Sequence, residues 1–316
     1  MQTFSIAIHG GAGTLVKGMM SPELEVSYRA ALKLAIDAGY EILKKGGTAI
    51  DAVEASVKLL EDSHLFNAGK GSVFTAAETH EMDASIMDGN TRNAGAVSLI
   101  SGIKNPISLA RDVMEKSEHV FLAGEGAMQF AKDLNYALED EAYFYDELRH
   151  QQWLAIKDTA SFQLDHSASS TNKTKDSKFG TVGAVACDAM GNLAAATSTG
   201  GMTNKKWGRV GDSPMVGAGN YANNKTCAIS CTGSGEFFIR GVVAYDVACL
   251  MEHKGMSLHE AAHEVIHERI LEIGGDGGLI AVDAQGNIAM PFNTEGMYRA
   301  SKSSDGSEEI AIYTEA

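Results

Sequence analysis

The stretch at residues 178–188, KFGTVGAVACD, constrains the fold more than any other part of this 316-residue chain. Its apolar and β-branched content predicts a buried strand, and Thr181 opens that strand directly behind Gly180. A threonine at a chain terminus can use its own α-amine as the base for its hydroxyl. Because Thr181 is internal, this chemistry requires that the bond between Gly180 and Thr181 is cut first. The sequence therefore predicts a strand whose first residue is released by self-cleavage.

The residues before Thr181 predict a mixture of strands and helices. Residues 4–9 alternate as a first strand, which runs into a glycine turn. Ser21 and Thr48 are each placed to cap the first turn of a helix. Residues 82–100 predict two strands around a tight turn, and residues 105–132 return to helical spacing.

A polar segment separates this half from the strand of Thr181. From about residue 159 to residue 180 the chain is mainly Ser, Thr, Asp and Lys. Such a segment buries too little apolar surface to offset the entropy of ordering it. We expect a mobile tether that exposes the cleavage point and divides the chain into residues 1–180 and residues 181–316.

The second half is dense in predicted strands, with two helices among them. The strands cover residues 181–187, 193–199, 227–231 and 279–291, the last of these folded as a hairpin, and the helices cover residues 235–251 and 258–271. Grouped antiparallel strands with helix pairs outside them predict an α/β fold with two packed sheets covered on both faces, an αββα sandwich. A parallel doubly wound sheet would alternate strand with helix more strictly.

The charge balance excludes some partners. The formal net charge is −15 and the pI is about 5.1, so the surface repels phosphate, and no concentrated basic run offsets this. We therefore expect neither nucleic acid nor a membrane as a partner. The first residues lack the basic start of a signal peptide, and the apolar runs are shorter than the roughly 20 residues of a membrane-spanning helix. The sequence predicts a soluble, cytoplasmic protein.

The four cysteines, Cys187, Cys227, Cys231 and Cys249, lie inside apolar stretches. This is the environment of inert buried thiols. Zinc binding needs close pairs or partnering histidines, and disulfides need an oxidising compartment. We expect all four to be structural thiols.

Eight motifs carry a resemblance to a known family. In chain order they are AIHGGAG, FNAGKGSVFT, MDASIMDGN, GTVGAVACD, NLAAATSTGG, GRVGDSP, CTGSGE and GGLIAVDAQGNIAMPFNTEGM. Through them the chain resembles the plant-type asparaginase and isoaspartyl peptidase family of N-terminal-nucleophile hydrolases over nearly its whole length. The resemblance implies a four-layer αββα domain made of two fragments, residues 1–180 and 181–316. It also implies that two such cleaved protomers assemble as a dimer.

The resemblance assigns the chemistry as well. Amide hydrolysis needs an activated hydroxyl, a base, and donors for the oxyanion. Thr181 supplies the first two once its amine is free, because an α-amine has a pKa of about 8 and is partly neutral at neutral pH. By resemblance Thr181 is the nucleophile, and its Oγ first attacks the Gly180 carbonyl. Gly180 suits this step because a residue without Cβ can hold strained backbone.

Four further positions complete the catalytic pocket. Thr199 ends the strand predicted to pair with that of Thr181, so their ends are neighbours, and by resemblance its hydroxyl orients the nucleophile. Thr232 and Gly233 follow an apolar strand in the run TGSG, which combines a hydroxyl with open backbone N–H groups. The resemblance makes them the oxyanion donors and places Gly235 in the pocket. A phosphate cradle is the rival interpretation of this turn, although it lacks the lysine of a P-loop.

Arg209 and Asp212 lie in the loop motif GRVGDSP. Taken alone they fit a weak loop ion pair or a site for a free amino acid, whose carboxylate and ammonium groups they complement. By resemblance Arg209 holds the α-carboxylate and Asp212 the α-ammonium group of the substrate. The scissile bond is then a β-amide, as in asparagine or a β-aspartyl dipeptide, and the sequence does not choose between these two. Asn67, in FNAGKG, helps to shape the site.

The resemblance implies no catalytic cofactor, but it implies a structural alkali cation, Na⁺ or K⁺. In the family, the main-chain carbonyls of one loop hold this ion. That loop maps to Leu60, Glu61, Ser63, Phe66, Ala68 and Lys70. Because carbonyls are the ligands, these side chains neither support nor oppose the assignment.

Two other functions stay open. Residues 259–263 and 263–267 both match HExxH, the pattern in which two histidines bind zinc and a glutamate is the base of a metallopeptidase. Ser257 and Glu260, however, form a predicted capping box, and the apolar stripe of this helix leaves its histidines facing mainly solvent. The second alternative is a non-catalytic binding protein of the same fold that is never cleaved.

Overall fold

Two β-sheets form the centre of the structure, which is a computed structural model that describes residues 3–158 and 180–314. The tether predicted from about residue 159 falls at residues 159–179, outside the described residues. The fold class is α/β, with helices flanking the two sheets. The described strands are β1 (Ser5–Gly13), β2 (Met82–Asp88), β3 (Ala94–Ile100), β4 (Phe121–Ala123), β5 (Val182–Cys187), β6 (Leu193–Thr199), β7 (Asn220–Ala222), β8 (Cys227–Gly233), β9 (Gly277–Asp283), β10 (Ile288–Ala289), β11 (Gly296–Ser303) and β12 (Glu308–Tyr313).

Within the part of the chain that the structure describes, the larger sheet has the strand order β12–β11–β1–β5–β6–β2–β3–β4. Its neighbours are antiparallel except β3 and β4, which are parallel. The smaller sheet is antiparallel, with the order β10–β9–β8–β7. The strand of Thr181 is therefore central in the larger sheet, between β1 and β6.

The helices of the described residues lie outside the sheets. They are α1 (Pro22–Lys44), α2 (Ala49–Glu61), α3 (Pro106–Lys116), α4 (Gly124–Asp133), α5 (Glu141–Phe144), α6 (Glu147–Leu154), α7 (Gly235–Gly241), α8 (Val243–Lys254), α9 (Leu258–Glu264) and α10 (Ile270–Glu272), with a π-helical turn at Val265–Arg269 joining the last two. Helices α1, α2 and α3 contact the larger sheet, and α8 and α9 contact the smaller one.

Local capping chemistry starts the first two helices where the sequence predicts. The Ser21 Oγ accepts the Leu24 N–H at 3.3 Å, and the Thr48 Oγ1 accepts the Asp51 N–H at 3.3 Å. Each bond satisfies an N–H that has no partner inside its helix. The predicted starts of α1 and α2 are confirmed, and the apolar stripes of both helices are buried against the larger sheet.

The central strands contribute to two different cores. On β1, Ile6 and Ile8 belong to the core under α1 and α2, whereas Ala7 belongs to the core shared with the smaller sheet and α8. The same alternation runs along β5. Strands that are buried on both faces have nearly continuous apolar sequences, which explains why the run after Thr181 contains so few polar residues.

Two predicted boundaries in the first half are wrong. The glycine turn predicted after residue 9 is part of β1, which continues to Gly13 because its pairing with β11 resumes after an irregularity between His9 and Gly11. The helical segment predicted over residues 105–132 is interrupted by β4, because those three residues pair with β3. Long-range strand pairing overrides the local pattern in both cases.

The second half also departs from the prediction. The helix predicted over residues 235–251 breaks between α7 and α8 at Val242, whose φ of 47° lies in the left-handed region. The helix predicted over residues 258–271 contains the π-helical turn. Strands β11 and β12 have no counterpart in the sequence prediction. The hairpin predicted over residues 279–291 is present as β9 and β10.

The prediction for the cysteines is confirmed at three positions. Cys187, Cys227 and Cys231 are buried free thiols, and burial raises their pKa values. Cys249 is only half-buried, since it lies on α8 at the edge of its packed face. None of the described helices has the length and apolar character needed to cross a bilayer.

Candidate active site

The hairpin of β5 and β6 places Thr181 and Thr199 at the same end. The antiparallel register pairs Val182 with Ser198, so the residues that flank this pair are adjacent. Thr181 is buried and its Oγ1 lies 3.4 Å from the Thr199 Oγ1 and 3.5 Å from the Ser213 Oγ. The predicted proximity of Thr181 and Thr199 is confirmed.

The Gly180 carbonyl oxygen is the centre of a cluster of donors. The hydroxyls of Thr181 and Thr199 both lie 2.5 Å from it, and the Asn67 Nδ2 lies 3.4 Å away. Donors arranged around one carbonyl oxygen polarise that carbonyl and stabilise the negative charge that nucleophilic attack would create. The carbonyl group of the Gly180–Thr181 peptide bond is therefore polarised, and the Thr181 hydroxyl is in contact with it.

Asn67 is held rigidly beside this bond. Its Nδ2 also donates to the Gly201 carbonyl at 2.7 Å, and its Oδ1 accepts the Val73 N–H at 3.0 Å. A Cβ at Gly200 would overlap the Asn67 side chain, so the glycine that follows Thr199 leaves room for it. The structure thus places Asn67 at the site, as the sequence predicts.

The end of β8 forms a second group of polar atoms. Thr232 is fully buried and its Oγ1 accepts the Ala12 N–H at 3.2 Å. Gly233 lines the same cleft as Thr181 and has a φ of 154°, at the limit of the region that side chains avoid. A Cβ there would also overlap the Asp276 carbonyl, so only glycine fits this position.

Arg209 forms its ion pair with Glu236, the second residue of α7. The Arg209 Nε and Nη2 donate to the two Glu236 carboxylate oxygens at 2.9 and 3.0 Å, a bidentate geometry. Burial acts to raise the pKa of Glu236, but the hydrogen bond and charge of Arg209 outweigh it, so the pKa lies below its usual value. The loop ion pair between Arg209 and Asp212, one of the two sequence interpretations, is not formed, since the ion pair of Arg209 in the described part of the chain is with Glu236.

Asp212 is instead a buried carboxyl group at the cleft. Burial raises its pKa to about 7, against the opposing charge of Arg209. Its Oδ2 has no hydrogen-bond partner within the described ranges 3–158 and 180–314. A buried acceptor without a partner is costly, and a cationic ligand would satisfy it.

One cleft joins these groups. It is lined by Gly180, Thr181, Thr199, Gly201, Met202, Arg209, Gly211, Asp212, Ser213 and Gly233. Gly235 lies directly against Arg209 and Asp212, since a Cβ on it would come within 2.9 Å of both the Arg209 Nη2 and the Asp212 Oδ1. Thr181, Gly233, Arg209 and Asp212 thus share one cleft.

The sequence prediction did not name Ser213, which lines this cleft, or Glu236, which pairs with Arg209 beside it. Ser213 lies beside the Thr181 hydroxyl, and Glu236 fixes one edge of Arg209. Both stand inside motifs that contain predicted site residues, GRVGDSP and CTGSGE. That adjacency was the only available signal, because neither residue type by itself indicates this chemistry.

The loop expected to hold a cation has a suitable shape. The carbonyl oxygens of Glu61 and Phe66 point at Gly69 and Gly71, where an added Cβ would come within 2.5 Å of the first oxygen and would overlap the second. No side chain at Gly69 or Gly71 covers these two carbonyl oxygens, and oxygen atoms are the ligands that a hard cation takes. The residues present therefore fit such an ion.

The HExxH helix does not converge on this cleft. The capping box of Ser257 and Glu260 is formed, as predicted, and it starts α9. His259 and His263 are exposed and His267 is half-buried, which confirms that they face mainly solvent. Among the described residues no group of three His, Cys, Asp or Glu side chains is arranged to hold a metal ion.

Comparison with known proteins gives full-length matches. A family described as "Asparaginase" (Asparaginase_2) matches residues 1–312. The isoaspartyl peptidase of Escherichia coli (strain K12) is 52% identical over 310 residues, which are 98% of this chain and 96% of the relative. The probable isoaspartyl peptidase/L-asparaginase 2 of Arabidopsis thaliana is 41% identical, over 99% of this chain and 100% of the relative. The isoaspartyl peptidase/L-asparaginase of Xenopus laevis is 42% identical, over 98% and 94%.

Proposed function

The chain belongs to the Asparaginase_2 family, and on that premise we propose that it is a self-activated threonine hydrolase that cleaves β-aspartyl dipeptides and hydrolyses L-asparagine to aspartate and ammonia. One observation carries the proposal: the Thr181 Oγ1 lies 2.5 Å from the Gly180 carbonyl oxygen, in a cleft shared with Arg209 and Asp212. The names of the relatives, isoaspartyl peptidase and L-asparaginase, support it.

Self-cleavage is the first step of the proposed chemistry. The Thr181 Oγ1 attacks the Gly180 carbonyl carbon, and the hydroxyl proton passes to the Thr181 nitrogen as the C–N bond breaks. Thr199 and Asn67 donate to the carbonyl oxygen during this step. Water then hydrolyses the resulting ester, which leaves a carboxylate on Gly180 and a free α-amine on Thr181.

Each turnover reuses the same hydroxyl. The free α-amine takes the Oγ1 proton as the oxygen attacks the β-carbonyl carbon of the substrate, and the proton then goes to the leaving amine as the C–N bond breaks. The Thr232 hydroxyl and the Gly233 main chain stabilise the oxyanion. Water hydrolyses the acyl-enzyme and regenerates the Thr181 hydroxyl.

The charged pair of the cleft sets the substrate class. Glu236 holds the Nε edge of Arg209, and the Nη1 lies against Gly211 within the cleft. The end of the guanidinium group receives the substrate α-carboxylate, and Asp212 receives the α-ammonium group. A substrate gripped at both α-groups presents its side-chain carbonyl to Thr181, so the scissile bond is a β-amide.

The proposal extends to the assembly. The packing of the two sheets and their outer helices supports a four-layer αββα sandwich, made of residues 1–180 and 181–316 after cleavage, with two such protomers forming a dimer. The carbonyls of the loop from Leu60 to Lys70 hold a structural Na⁺ or K⁺ ion. Replacing both ions by tetramethylammonium should then lower the melting temperature.

The experiment compares the wild type with Thr181→Ala by denaturing electrophoresis, intact mass and hydrolysis of a β-aspartyl dipeptide. We expect two fragments that divide before Thr181 in the wild type, and an intact inactive chain in the variant. Thr226→Ala, at the opposite end of β8 from Thr232, is the control and should be cleaved normally. A single unbroken chain with full activity would overturn the proposal, and chelator-sensitive peptidase activity would favour the HExxH alternative. An intact, inert wild type would favour the binding protein.

A further inference from the structure

A chain of four fully buried polar side chains crosses between the two sheets directly behind the nucleophile strand. His9 on β1, Ser230 on β8, Thr197 on β6 and Asn220 on β7 are its members. The His9 Nε2 and Ser230 Oγ are 2.9 Å apart, and the Ser230 Oγ and Thr197 Oγ1 are 2.7 Å apart. The Asn220 Nδ2 donates to the Thr197 Oγ1 at 3.0 Å. The proposed function does not use this chain.

The imidazole at one end of this polar chain is neutral. Burial lowers the pKa of His9 to about 3, so its ring carries no charge at physiological pH. At the other end the Asn220 amide donates to the Thr197 Oγ1. The Thr197 hydroxyl lies within hydrogen-bond distance of both the Gly219 carbonyl, at 3.3 Å, and the Ser230 Oγ. All four side chains are therefore connected by hydrogen bonds between neutral groups.

Strand β5 rests on His9 and Ser230 near its start. Gly183, two residues after Thr181, is paired with His9 in the sheet. A Cβ on Gly183 would come within 2.5 Å of the His9 Nε2 and would overlap the Ser230 Oγ. The imidazole also contacts the main chain of Thr181 itself. The His9 and Ser230 side chains therefore pack against the start of the strand that follows Thr181.

The His9–Ser230 hydrogen bond also connects to the strand that ends in Thr232 and Gly233. Ser230 lies two residues before Thr232 on β8, so both side chains point to the same face of the smaller sheet. The His9–Ser230 bond thus connects the larger sheet beside Thr181 with the strand that carries Thr232.

From this geometry we propose that His9 and Ser230 are positioning residues, which hold the start of β5 in register with Thr232 once cleavage makes Thr181 a chain terminus. The inference rests on the proposed function. Chain termini fray unless they are tied down, and the cut removes the restraint that Gly180 provides. Because misplacement of a reacting group by about 1 Å can cost about 100-fold in rate, contacts behind the strand govern turnover.

The test uses purified, fully cleaved enzyme and a β-aspartyl dipeptide. Ser230→Ala removes the hydrogen bond, and His9→Met removes the ring nitrogen that takes part in it while keeping a side chain of similar length. We expect each to lower kcat by about 10- to 100-fold, with KM changed by less than about threefold, because Arg209 and Asp212 bind the substrate from another loop. His9→Gln places an amide near the position of the His9 Nε2 and should recover most of the lost kcat.

Ser56→Ala is the matched control. Ser56 is equally buried and donates to the Ala35 carbonyl at 2.8 Å, on the outer side of the larger sheet. It should lower the melting temperature about as much as Ser230→Ala while leaving kcat unchanged. If Ser230→Ala does not yield cleaved protein, Thr197→Val compared with Thr197→Ser tests the same hydrogen-bonded chain.

Two results would overturn the inference. One is a cleaved Ser230→Ala or Thr197→Val enzyme with wild-type kcat, and the other is a His9→Gln variant no better than His9→Met. Both results are measured relative to an active wild type. Failure of the proposed function is a different result, because the wild-type protein itself would then hydrolyse no β-amide.

Discussion

The hairpin that carries the nucleophile and the loop that carries the charged pair are built in opposite ways. Every residue of β5 and β6 is buried, and the Thr181 and Thr199 hydroxyls are fixed by short contacts. The loop between β6 and β7 contains Trp207, which is 95% exposed with a φ of 58°, and Arg209, whose guanidinium group pairs with a half-exposed Glu236.

This difference separates two functions. In the proposed function, Thr181 and Thr199 act from strands between two cores, where small displacements are resisted by close packing. Arg209 would bind the substrate from a loop, where a few side-chain contacts set its geometry. Changes in the hairpin should therefore alter cleavage and kcat, whereas changes in the loop should alter KM.

The largest effect that would test this division is expected for Thr199→Val. Valine keeps the shape of the side chain but removes the hydroxyl that donates to the Gly180 carbonyl. In the wild type this hydroxyl also accepts the Gly201 N–H at 3.0 Å, so the variant loses that hydrogen bond as well. We expect self-cleavage to slow by about 10²- to 10³-fold, measured by electrophoresis of freshly purified protein over time. Thr199→Ser should cleave much faster than Thr199→Val, and equal rates would show that the hydroxyl has no role.

Arg209→Lys should give the next largest effect, in the opposite parameter. Lysine keeps the charge but cannot contact Glu236 and a substrate carboxylate through a planar fork. We expect KM for a β-aspartyl dipeptide to rise by about 10- to 100-fold while kcat changes by less than about threefold, measured by steady-state kinetics. Arg240→Lys, on α7 with its guanidinium group over the Phe237 ring, should change neither. A loss confined to kcat would contradict the division between hairpin and loop.

The pH dependence of KM should follow Asp212. Its carboxyl group must be ionised to receive an ammonium group, and its pKa is about 7 in the free protein. Below that pH, KM should rise about tenfold per pH unit, while kcat reports the α-amine of Thr181. Asp212→Asn should remove the KM transition. A KM that stays constant between pH 5 and pH 8 in the wild type would rule out this role.

The same residue predicts a stability change of defined sign. The pKa of Asp212 is higher in the folded protein than the ordinary value of 3.8, so the folded state binds more protons than the unfolded state between about pH 4 and pH 7. Its contribution to stability therefore declines as the pH rises through this window. Asp212→Asn should raise the melting temperature at pH 8 relative to the wild type, with little difference at pH 4.

Local patterns predicted the catalytic hairpin better than the recognition loop. The turn at Gly191 and the length of the two strands fix the register that brings Thr181 to Thr199, and both are properties of contiguous sequence. The caps at Ser21 and Thr48 are local in the same sense. Such features can be predicted because the interacting groups are separated by few residues.

The errors lie where distant residues meet. Glu236 is 27 positions from Arg209, and β1 pairs with β11 almost 300 residues away. Nothing in the neighbouring sequence indicates either contact. The break at Val242 likewise depends on a left-handed backbone conformation that valine rarely adopts, so helical spacing alone predicts a continuous helix there.

The smallest expected effect is that of Glu236→Gln. This variant tests whether the Glu236 carboxylate orients Arg209 or repels the substrate carboxylate. If Glu236 orients the guanidinium group, its loss raises KM. If its negative charge mainly repels the substrate carboxylate, its loss lowers KM. Glu236 is half-exposed, so solvent screens the repulsion, and the bidentate geometry favours orientation. We expect KM to rise by about two- to fivefold with kcat unchanged.

Salt concentration distinguishes the two explanations. At 1 M salt the Debye length is about 3 Å, so a repulsive effect of Glu236 would disappear, whereas an orienting hydrogen-bond pair would largely persist. The KM ratio of Glu236→Gln to wild type should therefore stay above about two at high salt. Glu264→Gln breaks a comparable pair with Arg269, whose Nη2 lies 2.6 Å from the Glu264 Oε1, and should leave KM unchanged. A ratio below one at low salt that returns to one at high salt would show that charge, and not geometry, links this helix to the loop.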